Sequence, residues 1–213
     1  MAVFKTQIQD IIGDFDDDVA INQFLTDGAK ELINMMPPNF KEKCTTETTL
    51  NNSATTMDMD GVGEILYVNR LSADSGGSRI PCRRVASMYG ELSNDSNSLY
   101  KASETDPVYW ILSSGDTSIL NVIPAPTANQ TAIVYHVAYP SIVGSDVSVI
   151  ANFPDELEYL VVLYAAIKIV ERQLIEEEDI ELYAPIIGTL KQDYMQGLQS
   201  SGLVQAQQPQ GAK

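Results

Sequence analysis
The hydrophobic positions of this chain change period twice, and each change marks a change of structure. Phe4, Ile8, Ile11, Ile12 and Phe15 fall at helical spacing. After the acidic break Asp14 to Asp18, the set Ile21, Phe24, Leu25, Gly28, Leu32 and Ile33 repeats that spacing, which predicts two consecutive amphipathic helices within residues 1–42. Asp16, Asp17 and Asp18 sit where carboxylates favour the positive end of the second helix dipole, and Pro37 with Pro38 stops it.

From Lys43 the pattern becomes short runs of Thr, Val, Ile and Tyr between clusters of Asn, Asp, Gly and Ser. That predicts strands over about 43–50, 53–59, 63–70, 79–86, 107–112, 117–123 and 131–139. Asn51-Asn52 and the stretch Asp74 to Ser78 read as hairpin turns, and Asn121 to Pro126 ends a strand in two prolines that cannot extend a ladder. The last run, Thr131 to Tyr139, is apolar on both faces and should lie centrally. Tyr89 to Tyr100 is polar and reads as an exposed loop.

The helical period returns after Pro140. Pro154 suits a first turn, and Asp155, Glu156 and Glu158 suit its positive end. In the helix that follows, Leu157, Leu160, Val161, Tyr164 and Ile167 form one face, and Val162, Leu163, Ala166, Ile169, Val170 and Leu174 form a second. A surface helix normally has a polar back. The uninterrupted apolar run Leu160 to Ile167 falls well short of the roughly 18 residues that suggest a membrane span, so protein must cover the second face. Its cover is either the chain's own second layer or a neighbouring subunit. Glu176, Glu177, Glu178 and Asp179 make an acidic corner before a last helix, where Tyr183, Ile187, Leu190, Tyr194 and Leu198 form a stripe and Pro185 either kinks the helix or marks its start.

The expected fold class is therefore α+β: a helical bundle built from residues 1–42 and 141–198, an antiparallel β module inserted at 43–140, and a flexible tail at 199–213. The N-terminus shows no signal-peptide pattern, which points to a protein made and kept in the cytosol.

Charge and chemistry narrow the function. Twenty-nine acids against thirteen bases give a formal charge of −16, which opposes gripping DNA or an anionic membrane. An acidic surface suits a protein past which nucleic acid slides without sticking, and it equally suits plain solubility. Arg79, Arg83 and Arg84 cluster, with alternation placing the first two on one strand face, too few for a nucleic-acid platform. His136 is the only histidine and stands mid-strand among apolar residues, so a structural role outweighs general-base chemistry. Cys44 and Cys82 lack metal or redox spacing and read as half-buried thiols. Asp14, Asp16 and Asp18 copy the start of an EF-hand loop, but Val19 stands where glycine is required and Leu25 where the bidentate acid belongs. Asp58 and Asp60 fail similarly, and Gly61-Val62-Gly63 leads into a strand, not a helix. No catalytic residue, cofactor site or metal site is expected.

The order of elements, with SLYKASETDPVYWIL, ILNVIPAP and NFPDELEYLVVLYAAIKIVERQL, resembles the head-to-tail connector or adaptor proteins of tailed bacteriophages. The resemblance implies a virion structural protein of the viral neck, assembled in the host cytoplasm. It would form a homo-oligomeric ring, commonly twelvefold, below the portal protein, extend the DNA channel, and dock a downstream tail or nozzle protein. It also implies that Leu203 and Val204, in a C-terminal extension, engage the portal. Within that picture Val162, Leu163, Ala166, Ile169, Val170 and Leu174 are the expected subunit contact. Glu176, Glu177, Glu178, Asp179 and Glu181 are the expected acids of the channel or of a neighbouring subunit. The rivals are another tail ring component, such as a tail-completion or nozzle protein, and an acidic metal-binding protein.

Overall fold
A computed structural model describes residues 3–73, 77–144, 147–177 and 180–204. The fold class is α+β with helices at both termini, and the chain divides into two compact units, one of residues 1–44 with 139–213 and one of Thr45–Ala138.

The first unit holds α1 (Phe4–Ile12), α2 (Asp18–Met35), the short α3 (Pro38–Lys41), α5 (Glu158–Glu177) and α6 (Ile180–Ser200). The Asp17 carboxylate accepts from the Ala20 N–H at 3.0 Å and caps α2, so one acid of the Asp16–Asp18 run does the capping. Phe4, Ile8, Ile21, Leu25, Leu32 and Ile33 are buried, as their spacing requires, while Phe15 lies beyond α1, which ends at Gly13 with φ +88°. Pro185 lies inside α6, which starts five residues earlier, so it does not mark the helix start. Residues 139–144 and 147–153 run as an irregular strap. The Tyr139 hydroxyl donates to Asn34 Oδ1 at 2.7 Å, the Ile142 N–H donates to Thr26 Oγ1 at 3.0 Å, and the Ile150 N–H donates to Glu158 Oε1 at 2.7 Å.

The second unit is a pair of four-stranded sheets. Strands β1 (Thr45–Leu50), β3 (Val62–Leu71), β4 (Arg79–Pro81) and β8 (Ala132–Ala138) form one, in the order β1-β8-β3-β4. The other, in the order β2-β7-β6-β5, holds β2 (Thr56–Asp58), β5 (Arg83–Arg84), β6 (Val108–Ser114) and β7 (Thr117–Ile123). One core joins Leu50, Val68, Ala132 and Val134 to Met57, Tyr109, Leu120 and Val122. The doubly apolar run Thr131 to Tyr139 supplies β8, which lies between β1 and β3.

The β module departs from the sequence expectation at four places. Asn51 does reverse the chain, its Oδ1 accepting from the Ser53 N–H at 2.8 Å, but β1 and β2 belong to different sheets, so the turn is a crossover and not a hairpin. The single strand expected over 79–86 is broken at Cys82, whose N–H donates to Val68 O at 2.7 Å; β4 and β5 lie in different sheets, and alternation across Arg79, Arg83 and Arg84 does not apply. Because β5 runs parallel to β6, the module is mixed and not wholly antiparallel. Finally, the expected loop at Tyr89 to Tyr100 begins as a helix, α4 (Ser87–Asn94). Its buried face is Gly90 and Ser93, not large apolar residues, because the Trp110 ring lies where a Cβ on Gly90 would sit.

Candidate assembly surface
Helix α5 is the centre of the first unit, and its own neighbours account for its apolar second face. Val162, Ala166, Ile169 and Val170 are buried, and Leu163 and Leu174 half-buried, under cover from α1, α2 and α6. The four buried residues pack in the subunit's own core. Close approach of the covering helices depends on two glycines. A Cβ at Gly28 of α2 would lie 2.8 Å from the Tyr164 ring, and one at Gly197 of α6 would lie 2.5 Å from Leu160 Cδ2.

The cover thins beyond Arg172. Its guanidinium donates to Asp17 Oδ2 at 2.8 Å and stacks over the Phe15 ring at 5.9 Å, which sets the start of α2 against that turn of α5. The ammonium of Lys191 pairs with Glu171 at 2.8 Å and sets the register of α6. Beyond this level α5 and α6 continue as a two-helix tip on which Ile175 is 77% exposed, Leu182 55% and Ile186 38%. Sequence reasoning misses these three. The signal that could have found them is that Leu182 and Ile186 lie off the Tyr183–Leu198 stripe, and that Ile175 directly precedes the acidic corner.

Of the expected acids, Glu181 is exposed beside Leu182. Glu176 and Glu177 end α5, but their side chains lie outside the described residues, as do Glu178 and Asp179 altogether. Leu203 and Val204 are half-buried and not in a free tail. The Leu203 N–H donates to Leu198 O at 3.0 Å and the Gly202 N–H to Gln199 O at 3.1 Å, with Gly202 at φ +72°, so this stretch caps α6.

A groove of about 390 Å³ runs between α2 and the strap, lined by Val19, Asn22, Thr26, Lys30, Ser141 and Val143. Val19 and Val143 are the most exposed apolar residues along it, at 81% and 79%. In the second unit a hollow between α4 and the sheet carries Glu91 on its wall, and another is lined by Asp58, Asp60 and Asp116.

The remaining chemistry is structural. His136 is buried with Nε2 3.0 Å from Thr48 Oγ1, and burial pushes its pKa down, towards the neutral form. Cys44 and Cys82 are free and buried rather than half-buried, and burial pushes their thiols up to about 11 and about 12. Arg70, fully buried, donates to Pro124 O at 2.9 Å and Gln130 Oε1 at 3.0 Å and so ties down the chain after β7. Among the described residues there is no group of three or more potential metal ligands, and no helix long and apolar enough to cross a membrane.

No curated protein matches the chain. The SU10 adaptor protein family, in contrast, matches residues 2–210, nearly the whole length, in agreement with the phage head-to-tail adaptor resemblance carried by the sequence motifs. The chain belongs to the SU10 adaptor protein family.

Proposed function
We propose that this protein is a neck component of a tailed-phage virion, a ring of identical subunits below the portal that extends the DNA channel and docks the next tail protein. The observation that carries this reading is the family match across residues 2–210. An apolar tip that the chain leaves uncovered, at Ile175, Leu182 and Ile186, is what a subunit built to assemble requires. The first unit carries nineteen of the acids against eight of the bases, so a ring of such units makes an acidic annulus past which DNA moves without adhesive contacts. In this reading Glu181 and the acids at 176–179 face the channel or a neighbour, Leu163 and Leu174 flank a subunit contact, and twelve subunits match a twelvefold portal.

The test is to mix the purified protein with the portal of the same virus and weigh the assembly by native mass spectrometry beside the protein alone. A ring that appears on the portal supports the adaptor reading. A protein that stays monomeric and leaves the portal bare, yet joins a downstream tail assembly, belongs elsewhere in the tail.

A further inference from the structure
Two exposed apolar surfaces among the described residues of the first unit differ in form. On the α5–α6 tip Ile175, Leu182 and Ile186 are exposed to solvent. The groove between α2 and the strap is concave, with Val19 and Val143 at its lips. We propose that they are each other's partner between copies: the tip of one subunit seats in the α2–strap groove of the next. This rests on the ring reading above and names the contact that would build the ring.

Charge selects this groove over the other hollows. The tip is acidic, with Glu181 exposed and four acids at 176–179 in the adjoining sequence. None of the described residues lining the α2–strap groove is a carboxylate, and one is Lys30, which makes no ion pair among the described residues. On the same stretch of α2, Asp27 is engaged by the Gln23 side-chain amide at 2.9 Å, and Asp18, beside Val19, pairs with Lys5 at 2.9 Å. Among the described residues, the hollows of the second unit present Glu91 or the trio Asp58, Asp60 and Asp116, which would repel an acidic tip, and the hollow beside Asp18, of about 10 Å³, is too small to seat one. Pairing tip to tip would bring the same acids together and is disfavoured on the same ground. An exposed patch on one copy meeting a different, concave patch on the next is a heterologous contact, which closes into a ring when its rotation fits.

Disulfide trapping tests the contact directly, because the native thiols are buried and poorly ionised while Leu182 and Val143 are exposed. Chains carrying Leu182→Cys alone and Val143→Cys alone are mixed, assembled with the portal and mildly oxidised. The expected product is a covalent dimer containing one of each chain by intact mass, and a ladder of higher oligomers from the double variant. Efficient dimerisation of Leu182→Cys by itself would mean tips meet tips, and overturns the proposal. A ring of full mass on the portal with no cross-link also overturns it, while leaving the adaptor reading standing. Failure of the unsubstituted protein to assemble on its portal removes the adaptor reading, and this contact with it.

Discussion
The α5–α6 hairpin carries large apolar residues at both ends, and they meet opposite fates. From Leu160 to Val170, α5 is wrapped by α1, α2 and α6, and residues on both of its faces are buried. One turn past Arg172, Ile175 is largely exposed, and Leu182 and Ile186 on α6 share that exposure. The difference lies in the length of the covering helices and not in the hairpin. Helix α2 begins at Asp18, and its cap, Asp17, is tied to Arg172, so nothing of α2 continues alongside the tip. Apolar residues on two faces of a helix therefore do not by themselves identify an interface. What identifies one is the place where the chain runs out of its own cover.

Truncation provides the largest contrast between the two ends. Ile169→Ala at the wrapped end removes buried methyl groups and leaves a cavity, and it should cost about 2–5 kcal/mol, read from the midpoint of chemical unfolding. Ile175→Ala at the tip should stay within about 0.5 kcal/mol of the parent for the isolated protein. Equal losses at the two sites would mean that the tip is covered in the free subunit, and the contrast would collapse.

The glycines of α6 sharpen the comparison within a single helix. A Cβ added at Gly197 would meet Leu160 Cδ2 at 2.5 Å and Tyr159 Oη at 3.0 Å, whereas one added at Gly188, nearer the tip, would meet nothing within 4 Å. Gly197→Ala should overpack the wrapped end and cost about 1–3 kcal/mol, and Gly28→Ala should behave likewise against the Tyr164 ring. Gly188→Ala should instead raise the melting temperature, since replacing glycine in an open helical position gains about 0.5–1 kcal/mol. A destabilised Gly188→Ala would show that this part of α6 is packed more tightly than its surroundings indicate.

What the sequence reveals, and what it hides, follows the same division. The change of period at Lys43 and again after Pro140 marks where helices give way to strands and return, because a core-facing strand and a core-facing helix impose different spacings. Strand β8 is legible as central because both its faces are apolar. Helix α4 is not, because its packing relies on the absence of a side chain at Gly90, which no hydrophobic pattern registers. The crossovers at Asn51 and Cys82 escape for a related reason: local turn chemistry fixes that the chain bends, while long-range pairing decides which sheet it bends into. At the candidate surface, the pattern correctly marks α5 as unusually apolar. Its uncovered part lies beyond the residues so marked, since the sequence of α5 does not show where α2 begins.

Two carboxyls at the two ends of α5 provide the smallest and most specific contrast, because their pH dependence has opposite sign. Asp17, beside the tip, is held below its ordinary 3.8 first by the Ala20 N–H and then by Arg172. A depressed carboxyl contributes stability that is present above its unfolded pKa and lost as pH falls through the folded value, so this contribution fades below about pH 4. Glu158, at the wrapped end, is pushed above its ordinary 4.5 by burial, against the Ile150 N–H that favours its charged form. Its contribution is full below that ordinary value and is lost as pH rises through the folded one. Glu158→Gln keeps an oxygen to accept from Ile150 and carries no charge, so unfolding midpoints compared at about pH 4 and pH 7 should fall less with rising pH in this variant than in the parent. Asp17→Asn keeps a capping oxygen, and its midpoint should fall less between about pH 5 and pH 3 than that of the parent. Parent-like pH dependence in Glu158→Gln would mean that the carboxyl at the head of α5 titrates as if in water, and the wrapped end would then be less closed than its burial indicates.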